Sequence, residues 1–288
     1  MNHPRGAKMR MRNPIKSNSN PQTKRYFALM LFLSVLLSAG CVTFTTDADN
    51  GTEVVEENPK HSFTVGSNPS VDVTGFNGEI EIITGADNEI KVDAVLKHAN
   101  RIEFSATEFE NTVTVIAKRT GSGFTFGRSP HTRIHLVVPI NTSIKAQTSN
   151  GPVSVTGVTG TGEIKTSNGN ISLVDVTGTY VVSTSNGPMK FEGFSGQINP
   201  ESSNGRVEFL GTLDAESDNR LSSSNGSITV VFEDEPNVAV NARTSNGTVE
   251  TERPILMTTS EKSRLVGEYG EGSAQLELRT SNGSINIR

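Results

Sequence analysis

The sequence predicts an all-β protein whose mature part is a single-domain parallel β-solenoid, and three observations lead to this. The tripeptide Ser-Asn-Gly occurs seven times at a regular spacing. The residues around each copy alternate between apolar and polar. Each unit is too short to bury an apolar face by itself, so it must stack on its neighbours.

The spacing of the repeats indicates one repeated supersecondary unit. The asparagines of the seven tripeptides are separated by 18, 18, 18, 21, 21 and 36 residues, and the last gap equals two periods of 18. Such self-similarity is typical of solenoid architectures. The seven residues, expected to form a structural ladder at one corner of the solenoid, are Asn150, Asn168, Asn186, Asn204, Asn225, Asn246 and Asn282.

Each unit contains two short strands. After the first glycine, Val153 and Val155 flank Ser154, and the same alternation recurs in later units, as at Ile171 and Leu173. Period two places one set of side chains inside and the other outside. A second apolar position precedes the tripeptide in most units, at Ala146, Ile164, Val182, Leu221, Ala242 and Leu278.

Stacking such units gives a coil of 18 to 21 residues per turn. Inward positions fall at unequal intervals, unlike the hexapeptide spacing of left-handed β-helices, so a right-handed β-helix is favoured. Asn-Gly suits a sharp corner because both residues tolerate positive φ. Stacked Asn side chains can also form hydrogen bonds along the axis.

The chain divides into four parts. Residues 1–40 read as a lipoprotein signal peptide, 41–62 as a flexible acidic tether, 63–140 as irregular β coils or a cap, and 141–288 as regular solenoid repeats. The repeat lapses between Pro254 and Ser273, which predicts a longer loop or a degenerate coil there.

The leader predicts export and a lipid anchor. The uncharged apolar run Tyr26–Ala39 follows a basic stretch and, as a helix, would span about 21 Å, short of the ~30 Å membrane core. Leu37-Ser38-Ala39-Gly40-Cys41 resembles the lipobox of bacterial lipoprotein precursors, and Cys41 is the only cysteine. The resemblance implies lipidation of Cys41, membrane attachment, and a place in the cell envelope facing away from the cytoplasm, on the outer membrane if the host has one.

Charge excludes nucleic-acid binding. Seven of the 26 basic residues precede Cys41, which leaves 19 against 31 acidic residues and a net charge of about −12 in the mature chain. Such a surface repels a phosphate backbone, and no Lys/Arg cluster offsets it in the sequence.

The sequence predicts no catalytic, cofactor-binding or metal-binding site. Acidic residues cluster at Glu201, Glu208 and Asp214 and again at Glu233–Glu235, but solvated surfaces of acidic proteins contain such clusters. His131 and His135 are four residues apart, and strands bring i and i+2 together instead. Phe124, Phe126 and Arg128 form a candidate contact loop. A β-helix enzyme acting on polysaccharide, and a soluble secreted solenoid, remain alternatives.

The repeats resemble the bacterial putative-adhesin domain, a family of domains of unknown function with recurrent Thr-Ser-Asn-Gly units. The resemblance runs from about Val71 to Arg288 and includes Thr132–Pro139 (TRIHLVVP). It implies a β-solenoid in an envelope setting, with no catalytic residues. The expected function is that of a non-catalytic, membrane-anchored binding or scaffold module whose partner is a polysaccharide or an envelope protein.

Overall fold

The computed structural model describes residues 41–46, 53–121 and 129–288. These residues form 24 β-strands, hydrogen-bonded into one continuous sheet, and one short 3₁₀ helix at Ala99–Arg101. The strands are β1 (Cys41–Thr46), β2 (Glu53–Asn58), β3 (Lys60–Thr64), β4 (Ser70–Thr74), β5 (Ile80–Thr84), β6 (Glu89–Lys97), β7 (Ile102–Phe109), β8 (Thr112–Arg119), β9 (His131–Val138), β10 (Ser143–Thr148), β11 (Val153–Thr156), β12 (Thr159–Thr166), β13 (Ile171–Val174), β14 (Thr177–Thr184), β15 (Met189–Ser202), β16 (Val207–Leu213), β17 (Asp218–Ser223), β18 (Ile228–Phe232), β19 (Val238–Thr244), β20 (Val249–Thr251), β21 (Leu256–Glu261), β22 (Arg264–Tyr269), β23 (Ala274–Thr280) and β24 (Ile285–Ile287).

The coils stack as two columns of parallel strands. Column A holds β9, β5, β11, β13, the first part of β15, β16, β18, β24 and β20, in that spatial order. Column B holds β8, β4, β10, β12, β14, the second part of β15, β17, β23 and β19. Because successive coils pair in parallel, the prediction of an all-β parallel solenoid is confirmed.

The core lies between the inward side chains of the two columns. In β11, Val153 and Val155 are fully buried, whereas Ser154 between them is partly exposed. At mid-stack the ring of Phe194 makes edge contacts with Tyr180, Phe191 and Phe209 at centroid distances of 6.0 to 6.3 Å. Stacked apolar positions therefore form one continuous core, which no single coil could supply.

The order of coils in space differs from their order in the sequence at both ends. Near the C-terminus, β23 and β24 lie between the β17/β18 coil and the β19/β20 coil. Near the N-terminus, β4 and β5 lie between the β8/β9 coil and the β10/β11 coil. The last coil of the chain is thus enclosed between two others.

Antiparallel strands cover both ends of the stack. Strand β7 pairs with β8, and β6 pairs with β9, at one end. At the other end β22 pairs with β19, and β21 pairs with β22. The expectation of a loop or a degenerate coil between Pro254 and Ser273 was therefore wrong, because the segment forms a hairpin that satisfies the exposed edge of β19.

The segment predicted to be a flexible tether, residues 41–62, also contains strands. Strand β1 pairs with β2, and β2 and β3 both pair with β6 in antiparallel fashion. Val55 packs against the core at its margin. The acidic and polar composition of the segment did not predict these strands.

One buried group in the core lacks a hydrogen-bond partner. The Tyr180 ring lies where a Cβ on Gly162 would come 2.1 Å from its Cε1 atom, so only glycine fits below it. The Tyr180 hydroxyl has no partner among the described residues, and burial raises its pKa. By contrast, the hydroxyl of buried Tyr269 lies 2.6 Å from Thr251 Oγ1.

We expect Tyr180→Phe to leave the free energy of unfolding unchanged or to raise it by about 1 kcal/mol, because a desolvated hydroxyl without a partner is removed. The matched variant Tyr269→Phe removes a hydrogen bond and should lower it by roughly 0.5–1.5 kcal/mol. Urea denaturation of both variants measures this, and a loss of stability in Tyr180→Phe equal to that in Tyr269→Phe would contradict the assignment.

Candidate functional site

The predicted lipidation site begins the first strand. Cys41 is the first residue of β1, and the signal peptide predicted over residues 1–40 lies outside the described residues. The candidate contact loop with Phe124, Phe126 and Arg128 lies outside them as well. Lipidation of Cys41 therefore stays a prediction. The described residues contain no helix with the length and apolar character needed to cross a membrane.

The asparagines of the repeats form a ladder of amide hydrogen bonds on one exposed corner. Each Nδ2 donates to the Oδ1 of the asparagine in the adjacent coil at 2.7 to 2.8 Å. Asn77, from the irregular part of the sequence, occupies the first position, and Asn246 the last. In spatial order the ladder is Asn77, Asn150, Asn168, Asn186, Asn204, Asn225, Asn282 and Asn246.

The glycine of each tripeptide is required by close backbone approach. A Cβ placed on Gly187 would lie 1.8 Å from the carbonyl oxygen of Gly169, and one on Gly205 would lie 1.7 Å from that of Gly187. The expectation of positive φ was wrong for most of the column, since among these glycines only Gly151 has φ in that range, and no ladder asparagine does. Glycine is needed here for space.

A threonine or serine directly precedes each Ser-Asn-Gly tripeptide. Its side chain is buried, and its hydroxyl forms hydrogen bonds at the corner. Thr166 Oγ1 donates to the carbonyl oxygen of Gly151 and Thr184 Oγ1 to that of Gly169, both at 3.1 Å. Ser223 makes the equivalent bond to Gly205 at 2.8 Å. The motif therefore holds coils together through its threonine hydroxyl, its asparagine amide and the close approach of its glycine.

The acidic clusters seen in the sequence do not converge on one point. Glu201 lies on column B and Glu208 on column A, where Glu208 pairs with Arg206 at 3.1 Å. Asp214 follows column A in the turn after β16. Glu233–Glu235 lie in the turn after β18, where Arg253 donates to the carbonyl oxygens of Phe232 and Asp234 at 2.8 and 3.2 Å.

The histidines are likewise dispersed. His135 Nδ1 lies 3.0 Å from Glu81 Oε2, while burial lowers the pKa of His61, which stacks on Phe63. Burial also lowers the pKa of His131. Within the described ranges, no group of three or more His, Cys, Asp or Glu side chains could hold a metal ion.

A groove of about 620 Å³ lies on the outward face of column B near its C-terminal end. It runs over β17, β23, β19 and β22, with Thr258 of β21 at its margin. Glu277 in its floor pairs with Arg220 at 3.3 Å. The other polar side chains that line it are Asn199, Asp218, Asn219, Asn241, Glu268 and Gln275.

Asparagine side chains replace the backbone ladder at one edge of this groove. Strands β15 and β17 pair only at Glu201–Ser222 and Ser202–Ser223. Nearby, Asn219 Oδ1 accepts a hydrogen bond from the Ile198 amide at 2.8 Å, and Asn199 Oδ1 accepts one from the Arg220 amide at 3.0 Å.

Three arginines form a row beside the groove, which we call the arginine row. Arg279 of β23 pairs in register with Arg243 of β19, which in turn pairs with Arg264 of β22. All three are exposed. The sequence could not reveal this row, because insertion of the last coil brings Arg279 next to Arg243 and the hairpin adds Arg264.

Comparison with known families gives one match. The model of the family described as Toastrack DUF4097 matches residues 70–195 and 159–288, two overlapping stretches that together span both columns. No curated protein matches the sequence.

Three solved bacterial structures are similar to this chain over most of its length. A putative cell adhesion protein from Clostridium sporogenes is 13% identical with a TM-score of 0.34, and covers 80% of this chain and 98% of its own. A putative adhesin from Bacteroides fragilis is 11% identical with a TM-score of 0.37, covering 80% and 97%. A putative lipid binding protein from Parabacteroides distasonis is 11% identical with a TM-score of 0.36, covering 80% and 96%.

We expect Gly187→Ala to lower the free energy of unfolding by about 1–3 kcal/mol or more, because its Cβ overlaps the Gly169 carbonyl and forces two coils apart. Gly66→Ala is the control, since a Cβ there meets nothing closer than Asn111 Oδ1 at 3.5 Å. Thermal unfolding of both variants tests this. Equal midpoints for the two would show that the corner tolerates a side chain.

Proposed function

The chain belongs to the Toastrack DUF4097 family, and we propose that it acts as a non-catalytic, adhesin-like binding module of the cell envelope. One observation carries the proposal: the predicted anchor residue and the groove belong to opposite ends of one stack. Strand β1, which begins at Cys41, pairs with β2, and β2 joins the stack through β6 and β9. The groove lies on β17, β23, β19 and β22.

The length of the stack gives this separation a scale. Nine parallel strands stand side by side in column A from β9 to β20. At about 4.8 Å per strand spacing, the first and last of them are about 38 Å apart. A lipid on Cys41 would therefore hold one end of the solenoid at a membrane while the other end projects toward a partner.

The anchor half of the proposal depends on Cys41. The resemblance to a lipobox implies that its thiol carries diacylglycerol. Acyl chains contribute about 0.8 kcal/mol of membrane affinity per buried CH₂. A single exported cysteine has no internal disulfide partner, so lipidation also removes a reactive thiol. We propose that the protein is attached to the envelope in this way and faces away from the cytoplasm.

The binding half depends on the outer surface of column B. The threonine, asparagine and glycine of the motif hold coils together, so we assign recognition to the outward side chains and to the groove. A polysaccharide or an envelope protein fits an open groove whose lining includes amides and charges better than a small apolar ligand, which needs an enclosed apolar pocket.

Metabolic labelling with a fatty-acid analogue tests the anchor. We expect the wild-type protein and a Val42→Ala control to carry the label and to be removed by protease treatment of intact cells, and Cys41→Ser to lose the label. Unlabelled wild-type protein released into the medium would reject the anchor and leave a soluble secreted solenoid.

A further inference from the structure

The arginine row breaks a rule of strand pairing. Arg279, Arg243 and Arg264 are direct cross-strand neighbours on one face, and like charges placed opposite each other destabilise a sheet. Four exposed arginines elsewhere on the stack have carboxylate partners, as Arg206 has Glu208 and Arg220 has Glu277. In the described part of the chain, none of the three row arginines has a carboxylate within 4.0 Å.

Among the described residues, no ion pair joins the row to its neighbours. Ser222 lies beyond Arg279, and Glu261 pairs in register with Arg264 without forming an ion pair. Lys262, exposed in the turn next to Glu261, restores a positive charge at that side. Three guanidinium groups thus face solvent within about 10 Å, given the ~4.8 Å strand spacing, on a protein whose mature chain is strongly acidic.

The adjoining groove specifies what kind of anion fits. The groove presents the amides of Asn241 and Gln275, which can donate to and accept from hydroxyls, and the carboxylates of Asp218 and Glu268, which accept from hydroxyls. No aromatic side chain lines the groove, and nucleic-acid bases would need one for stacking. Guanidinium groups bind carboxylates, sulfates and phosphates through two parallel hydrogen bonds. A chain of hydroxyl-rich sugars that carries anionic groups matches both parts of this surface.

We propose that the arginine row and the adjoining groove form a binding site for an acidic polysaccharide. The anionic groups lie on Arg279, Arg243 and Arg264, and the sugar hydroxyls lie on the amides of the groove. The inference rests on the proposed binding function and names its ligand class. It also gives a reason for the like-charge row, because a bound polyanion relieves the repulsion that the free protein tolerates.

Binding of three purified polymers to the full chain tests this: polygalacturonate for carboxylates, dextran sulfate for sulfates, and dextran as the uncharged control. We expect at least one charged polymer to bind tenfold or more tightly than dextran, with affinity falling as salt rises. The carboxylate and sulfate arms show which anionic group is preferred.

The decisive variant replaces all three row residues, as Arg243→Gln, Arg264→Gln and Arg279→Gln together. We expect it to lose at least tenfold in affinity for the charged polymer while its thermal midpoint does not fall, because repulsion is removed. The matched control is Arg133→Gln, Arg206→Gln and Arg288→Gln, which changes net charge equally at arginines paired with Glu79, Glu208 and Glu252. It should change affinity by less than threefold.

If both triple variants lost the same affinity for the charged polymer, net charge alone would explain the loss. That result would overturn the proposed site. Wild-type binding to dextran as tight as to the charged polymers would also overturn it, while leaving a polysaccharide-binding role intact. Binding to none of the three would overturn the inference too, and labelling of Cys41 would still decide the anchor independently.

Discussion

The close approach of backbones at the Ser-Asn-Gly corner is the constraint on which the rest of the structure depends. Successive corners lie so near each other that a Cβ on Gly169, Gly187 or Gly205 would fall 1.7 to 1.9 Å from the carbonyl oxygen of the equivalent glycine in the preceding coil. This contact fixes the position of each coil on the last. The amide ladder and the buried hydroxyls then add hydrogen bonds at positions that the glycine column has already aligned.

Register at the corner determines which side chains become core and which become surface. Because strand side chains alternate, a slip of one residue would send Val153 and Val155 outward and Ser154 inward. The corner prevents such a slip in every coil. Because the corner sets the register, the outward residues are not needed for it, and the surface of column B can differ from coil to coil. Function is accordingly expected on that surface, whereas the repeated motif itself is structural.

The repeats made much of the fold predictable, because period-two alternation and the 18-residue step are local signals that stacking then reinforces. The spatial order of the coils was not predictable. Nothing in the sequence of residues 274–287 indicates that this coil lies between the β17/β18 and β19/β20 coils, since every coil presents a similar edge to its neighbours. The hairpin at residues 256–269 was missed for a related reason: alternation predicts a strand but does not say whether its partner is parallel or antiparallel.

The candidate site follows from that hidden order. Arg243 and Arg279 belong to separate repeats, and their adjacency depends on the inserted coil. Arg264 contributes only because the hairpin pairs with β19. At one edge of the groove beside them, Asn199 and Asn219 take the place of backbone pairing. A sequence-based argument detects repeats, but a site assembled across non-sequential coils requires the structure.

Removal of one complete coil tests the central claim most directly. Deletion of residues 169–186 joins Asn168 to Gly187, so that the corner motif is kept and the following coil meets the same kind of partner one step earlier. We predict that this protein keeps a β-type far-UV spectrum and a cooperative thermal transition at a lower midpoint, whereas deletion of residues 169–177, half a coil, abolishes the transition. Loss of cooperative folding in both deletions, or its retention in both, would contradict the claim that corner stacking sets the register of the solenoid.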